Sequence, residues 1–175
     1  MTGHRPENSS ARDSARGKAR DLVMAAAPGD VAAAMRAVDA ADAAGLAAQL
    51  TANVVVLRNF TLETIEPFLK LHLYRAGLGP AVRFGGYDTI RQDVIGPDSI
   101  LSAAPVPDVV VLALVLDRLD PGHLRPGWTA DHAMGEVKAL LGSLAERTEA
   151  LVAVNTVLAP WYEAGIGIQS AGDYA

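Results

Sequence analysis

The chain has 175 residues and no cysteine, and half of its residues are apolar while only 5% are aromatic. This length supports one domain with a core of Val, Leu, Ile and Ala. The lack of cysteine excludes disulfides and a thiol nucleophile. The net charge of -5 argues against general nucleic-acid binding. The sequence has neither an apolar run of the roughly 18–20 residues that a membrane span needs nor a secretory signal, so we expect a cytoplasmic protein.

The N-terminal fifty residues differ in composition from the rest. Residues 1–20 are polar and rich in Arg and Ser, which predicts a disordered tail. Residues 21–50 are rich in alanine and are interrupted by Pro28 and Gly29, after which Asp30 is placed to cap a helix. We therefore expect one short and one longer helix here. Because alanine buries little surface, these helices are predicted to form an appendage that docks on another surface or makes a homo-oligomer through residues 21–50.

The first strand and helix of an α/β pattern come next. Asn53–Phe60 contains three consecutive valines and a leucine, a run typical of a strand that is buried on both faces. The helix predicted after it is capped by Thr61 or Thr64. Placing Pro67 in the first turn of that helix favours Thr64, and Gly77 is expected to end the helix.

Strand and helix patterns then alternate along the chain. Three further predicted strands are Ala81–Phe84, Val109–Leu116 and Leu151–Leu158. The helices between them are predicted over Tyr87–Ile95, with Asp88 as the cap, and over a longer segment that begins at Thr129 or Asp131. We therefore predict that residues 51–175 form an α/β domain with a mostly parallel sheet, for which we take the strand order 2-1-3-4. Because no helix follows the fourth strand, we expect this domain to be truncated at its C-terminal side.

Ligands of such sheets bind outside the carboxyl ends of the strands, where the strand order reverses. Six polar residues follow the first, third or fourth strand and are the candidate substrate-binding residues: Arg58, Asn59, Thr61, Asp117, Arg118 and Asn155. Arginine can hold an anion, and Asn and Thr can donate hydrogen bonds to a carbonyl or phosphate group. The alternative is structural: Asn59 and Thr61 cap the helix, and Asp117 pairs with Arg118.

No catalytic or metal-binding motif accompanies these residues. The four histidines are His4, His72, His123 and His132. They lack the spacing of metal ligands. Gly85 and Gly86 belong to no phosphate-binding motif and are assigned to a turn, and the chain has no G-x-S-x-G nucleophile elbow. We therefore assign no catalytic residue, metal ligand or cofactor to this chain.

Three blocks of the sequence resemble the N-terminal region of FkbH-like proteins of polyketide biosynthesis, in the same order and spacing. They are V-V-V-L-R-N-F-T-L-E at 54–63, V-R-F-G-G-Y-D-T-I-R-Q-D-V-I-G-P-D-S at 82–99 and P-D-V-V-V-L-A-L at 107–114. The resemblance implies an SGNH-hydrolase-like domain, which is a flavodoxin-like three-layer α/β sandwich, and a phosphatase domain of the haloacid-dehalogenase (HAD) superfamily that follows it. It also implies an enzyme that loads a D-glyceryl unit from 1,3-bisphosphoglycerate onto an acyl carrier protein.

The chain departs from both catalytic patterns that this resemblance implies. It has no D-x-D motif, so HAD chemistry and its Mg²⁺ are expected only in a domain outside this chain. Arg58-Asn59-Phe60 stands where SGNH hydrolases have G-D-S, and Val115-Leu116-Asp117 stands in place of G-x-N-D. Ester hydrolysis therefore lacks its serine and histidine.

The resulting expectation is a non-catalytic domain that serves docking or assembly, with an acyl carrier protein or the HAD catalytic domain as its partner. The two alternatives are a small SGNH-type hydrolase or acyltransferase with an atypical site, and an oligomerisation module.

Overall fold

The computed structural model describes residues 7–46 and 50–156. The helices within these residues are α1 (Glu7–Ala25), α2 (Val31–Ala43), a 3₁₀ turn (Glu63–Ile65), α3 (Glu66–Arg75), α4 (Ile90–Ile95), α5 (Leu116–Leu119) and α6 (Asp131–Arg147). The strands are β1 (Thr51–Arg58), β2 (Gly79–Tyr87), β3 (Val109–Ala113) and β4 (Leu151–Val154). Within the same residues, every helix is too short or too polar to cross a membrane.

The strands form one parallel sheet in the order β2-β1-β3-β4, which confirms the predicted α/β fold class and strand order. β3 pairs with β4 in a register that sets Val109 opposite Leu151 and Leu112 opposite Val154. β1 is a central strand, and its residues Val55–Leu57 are fully buried, as an unbroken apolar run predicts. The strand order reverses between β1 and β3, so their carboxyl ends define the crevice of this flavodoxin-like fold.

The chain divides into two compact units. The first comprises the residues up to Val54 together with Leu62–Val82, and the second comprises Val55–Thr61 together with the residues from Arg83 onward.

The core of the first unit is formed by α1, α2 and α3. Its buried residues are Val23, Ala26, Ala34, Ala37, Val38, Ala41 and Leu71. The small alanine side chains let the helix backbones approach one another closely, and the segment predicted as an appendage thus shares a core with α3. As predicted, Asp30 caps α2 by accepting a hydrogen bond of 2.8 Å from the Ala33 N–H.

Arg75 on α3 joins the end of α1 to the rest of this core. Its Nε donates to the Val23 carbonyl at 2.8 Å, and its Nη2 donates to the Ala26 carbonyl at 2.5 Å. The last carbonyls of a helix have no partner within the helix and carry the negative end of its dipole. A guanidinium group therefore satisfies and stabilises the C-terminal end of α1.

The predicted disordered tail over residues 1–20 is wrong for residues 7–20, because α1 begins at Glu7. Ala19 and Val23 lie one helical turn apart and are both buried. The other α1 residues from Ser10 onward are exposed, and they include good helix formers such as Ala11, Arg12 and Arg16. A narrow apolar stripe is invisible in overall composition, and only the packing of α1 shows that the segment is ordered.

The core of the second unit joins the sheet to α4 and α6. Its buried residues are Val55, Leu57, Ile90, Val94, Leu101, Val110, Leu112, Leu114, Val137, Leu140 and Leu144. β3 ends at Ala113, three residues before the predicted end, and Asp117 and Arg118 therefore lie in α5 rather than at the end of a strand. Likewise β4 ends at Val154, and Leu158 lies outside the described residues.

Two helix starts differ from the predictions. The 3₁₀ turn precedes α3, which begins at Glu66 with Ile65 at the N-cap position, so neither Thr61 nor Thr64 caps it. Pro67 does lie in the first turn of α3. Asp88 does not cap α4, because it has a positive φ of 56° and Thr89 takes the N-cap position.

Candidate functional site

Two asparagine side chains hold the backbone that continues from β3. The Asn59 Oδ1 accepts from the Val115 N–H at 2.9 Å, and the Asn59 Nδ2 donates to the Val115 carbonyl at 3.2 Å. The Asn155 Oδ1 accepts from the Leu114 N–H at 2.7 Å, and its Nδ2 donates to the Leu114 carbonyl at 2.9 Å. Each carboxamide thus replaces the backbone partner that a longer neighbouring strand would supply. We call these two side chains the asparagine clamp.

The clamp gives Asn59 and Asn155 a structural role. Asn59 follows β1, Asn155 follows β4, and β3 lies between those two strands. Asn59 is only 4% exposed, and both polar atoms of its side chain are occupied. Each of these two atoms has one hydrogen bond to Val115, and the second N–H of the Asn59 Nδ2 keeps the capacity to donate. Asn59 therefore supports the backbone after β3 and does not cap α3, whose N-cap position is taken by Ile65.

The Arg58 side chain packs against Phe84 on the neighbouring strand β2. Its guanidinium carbon lies 5.4 Å from the centre of the Phe84 ring on β2, within the range of a cation–π contact. Arg58 is 6% exposed. Because side chains alternate along a strand, Arg58 lies on the sheet face opposite to Leu57, whose face carries α4 and α6.

An open cleft of about 360 Å³ lies at the carboxyl ends of the strands in the second unit. Asp88, Asn59 and Leu114 line it, and they directly follow β2, β1 and β3 respectively. The apolar part of its wall consists of Ile90, Leu114, Leu119 and Leu140. The polar part consists of Asn59, Asp88, Arg91, Gln92, Arg118, His132 and Glu136.

The cleft brings together two of the six predicted site residues, Asn59 and Arg118. Thr61 is exposed, Asp117 is half-buried on α5, and neither lines the cleft. Arg58 and Asn155 do not line it either. The Arg118 side chain is exposed, and it has neither a hydrogen bond nor an ion pair within residues 7–46 and 50–156. The predicted pairing of Asp117 with Arg118 is therefore absent.

The other cationic groups of the cleft have protein partners. Arg91 on α4 forms an ion pair with Glu136 on α6, which neutralises both charges inside the cleft. His132 Nδ1 lies 3.4 Å from Asp120 Oδ2. These pairs leave Arg118 as the cation without a counter-charge among the residues that line the cleft.

Asp120 is the centre of a buried polar cluster behind the cleft. It is 8% exposed, and it accepts hydrogen bonds from the Trp128 Nε1 at 2.8 Å and from the Gly122 N–H at 3.0 Å. The Trp128 hydrogen bond is the main cause that lowers the pKa of the Asp120 carboxyl, and the Gly122 N–H and the nearby His132 act in the same direction, while burial opposes them. Asp120 is therefore a carboxylate at neutral pH and fixes the ring of His132.

Sequence reasoning missed most of this site. Asp88, Arg91, Gln92, His132 and Glu136 lie on the segments that follow β2 and β3, at the edge of the sheet where the candidates were sought. The sequence signal that could have found these residues is their position after a predicted strand, because in a parallel sheet every segment that follows a strand starts at the same edge. Histidine spacing gave no such signal, since His132 pairs with a residue twelve positions earlier.

The chemical groups of the cleft suit binding better than covalent catalysis. A histidine oriented by a carboxylate is half of a nucleophile-activating arrangement, but no Ser, Thr or Cys is among the residues that line the cleft. In the described part of the chain, no three His, Asp or Glu side chains are grouped to hold a metal ion.

Comparisons with models of known protein families, with curated proteins and with solved structures find no match.

Proposed function

We propose that this chain is a non-catalytic α/β domain of an FkbH-like biosynthetic enzyme, and that it serves docking or assembly with an acyl carrier protein or with a HAD catalytic domain. The family part of the proposal rests on the three sequence blocks at 54–63, 82–99 and 107–114. The non-catalytic part rests on the asparagine clamp.

The clamp is the observation that carries the proposal. In a hydrolase of this architecture, the residues after β1 and β3 have to face the substrate with free polar atoms. Here Asn59 and Asn155 use both ends of their carboxamides to hold Leu114 and Val115. A site that is filled by its own backbone supports a retained fold without the hydrolytic chemistry.

The first experiment tests for catalysis. We expect the purified chain to release no phosphate from 1,3-bisphosphoglycerate or 3-phosphoglycerate with Mg²⁺, and to cleave short esters and acyl thioesters only at the background rate. The matched control is His132→Ala, which removes the exposed histidine of the cleft. Turnover that depends on His132 would favour the hydrolase alternative, and phosphate release by the chain alone would refute the non-catalytic assignment.

The second experiment tests docking. ¹⁵N-labelled holo acyl carrier protein is titrated with the unlabelled chain, and we expect saturable shifts of carrier-protein amide resonances. The same titration with a separate HAD catalytic domain covers the other partner. Absence of saturable shifts in both titrations would refute the docking role while leaving the result of the catalytic assays unaffected.

Self-association through the N-terminal helices is a second candidate role. Val31 and Met35 lie one turn apart on α2 and are 43% and 50% exposed. We expect light scattering to give a dimer for the native chain and a monomer for the Met35→Glu variant. Leu124→Glu, at an exposed apolar position of the second unit, is the control that should remain dimeric. A native chain that is monomeric at millimolar concentration excludes this role.

A further inference from the structure

The cleft at the carboxyl ends of β1, β2 and β3 has an apolar wall and one cation without a partner. Ile90, Leu119 and Leu140 supply apolar surface, and Arg118 stands at the polar side with no hydrogen bond or ion pair in the described part of the chain. A volume of about 360 Å³ is at the lower end of the size of small-molecule sites. The cleft therefore matches a ligand of a few carbon atoms that carries negative charge at one end.

We infer that the cleft binds a small aliphatic monocarboxylate, with Arg118 as the residue that holds its carboxylate group. The guanidinium fork matches the two oxygens of a carboxylate. The short aliphatic part then lies against the apolar wall, where burial of each methylene is favourable.

The charges around Arg118 decide between a carboxylate and a phosphate. Arg91 is neutralised by Glu136, and His132 faces the carboxylate of Asp120. Asp88 and Glu136 also line the cleft, so a dianion would meet carboxylates that repel it and only one cation free to hold it. A monoanion needs one unpaired cation, which Arg118 supplies.

His132 supplies a second polar contact for the same ligand. Its Nδ1 faces Asp120 Oδ2, so its Nε2 is the ring nitrogen left for a partner in the cleft. Asn59 also lines the cleft, where its Oδ1 and one N–H of its Nδ2 are bonded to Val115 and the other N–H can donate.

This inference does not depend on the proposed docking role, because it concerns a site for a free small molecule. The test uses the full chain labelled with ¹⁵N and three probes, which are butyrate, butyramide and inorganic phosphate. We expect butyrate to shift the amide resonances of Gln92 and Leu119 saturably, with a dissociation constant in the millimolar range. Butyramide, which has the same size without the charge, is expected to bind at least tenfold more weakly, as is phosphate.

Matched variants locate the binding group. Arg118→Ala is expected to weaken butyrate binding at least tenfold, whereas Arg125→Ala removes an exposed arginine outside the cleft and should leave binding unchanged. The thermal unfolding midpoint of each variant checks that the fold is intact. Equal binding of butyrate by the native chain and Arg118→Ala, no saturable shift with butyrate, or tighter binding of phosphate than of butyrate would overturn the inference.

Discussion

Replacing Asn59 by leucine tests whether this residue supports the fold or binds a substrate. Leucine has the same number and branching of side-chain heavy atoms as asparagine but neither donates nor accepts hydrogen bonds. The Val115 N–H and carbonyl therefore lose their side-chain partners at 2.9 and 3.2 Å. Because Asn59 is 4% exposed, water cannot readily take the place of its carboxamide.

The expected loss follows from these two hydrogen bonds. A partly buried polar group that loses its partner costs about 1–3 kcal/mol. Val115 is half-buried, which places both of its groups at the lower end of that range, so the free energy of unfolding should fall by about 2–3 kcal/mol. For a urea dependence of about 2 kcal/mol per molar, the unfolding midpoint should drop by roughly 1–1.5 M.

Urea unfolding followed by circular dichroism measures this change. Thr61→Ala, at an exposed position two residues away, is the control and should stay within about 0.5 kcal/mol of the native chain. Asn155→Leu should cost less than Asn59→Leu, because Asn155 is more exposed. If the Asn59→Leu midpoint lies within about 0.3 M of the native value, the clamp does not stabilise the protein and the structural role is refuted.

Three further changes test other parts of the fold. A Cβ at Gly85 would lie 2.6 Å from Asp93 Oδ2 on α4. Gly85→Ala should therefore lower the free energy of unfolding in urea by about 1–3 kcal/mol. The control is Gly17→Ala, which has open space around its Cβ and should not destabilise the chain. Arg75→Ala should destabilise the first unit by about 2–3 kcal/mol and speed amide exchange in α1, and Arg75→Lys should not restore the loss; unchanged exchange would contradict this role. Burial, together with the hydrogen bond to the Asp42 carboxylate, raises the pKa of Tyr74, so its contribution to stability is fully present below the ordinary tyrosine value of about 10 and declines above it. Tyr74→Phe should flatten the decline in the free energy of unfolding above about pH 10, and equal slopes for the two proteins would count against the effect.

The sequence predicted the sheet because its signal is local and strong. The apolar runs that became β1 and β3 read as buried strands on composition alone, and the rule that parallel strands are joined by crossovers left few possible strand orders. The sequence also predicted that Asp30 caps α2 and that Gly77 ends α3, since a helix cap depends on one residue and its immediate neighbours.

The site was only half predictable for a different reason. Strand ends are uncertain by a few residues, and β3 stops at Ala113 rather than Leu116, which moves Asp117 and Arg118 into a helix. The sequence pattern also shows which residues are polar, but it does not show whether their polar atoms are hydrogen-bonded to other groups of the protein. Only the structure shows that Asn59 holds Val115, while Arg118 has no hydrogen bond or ion pair within residues 7–46 and 50–156.

The amino-acid sequence by itself determined the α/β class and the parallel sheet, because hydrophobic periodicity and chain connectivity act along the chain. Tertiary structure alone decided that α1 is ordered back to Glu7, that Arg75 closes its C-terminal end, and that Arg91, Arg118 and His132 share one cleft. Each of these features depends on a partner distant in sequence, and the free energy of such a contact belongs to neither segment until both are folded.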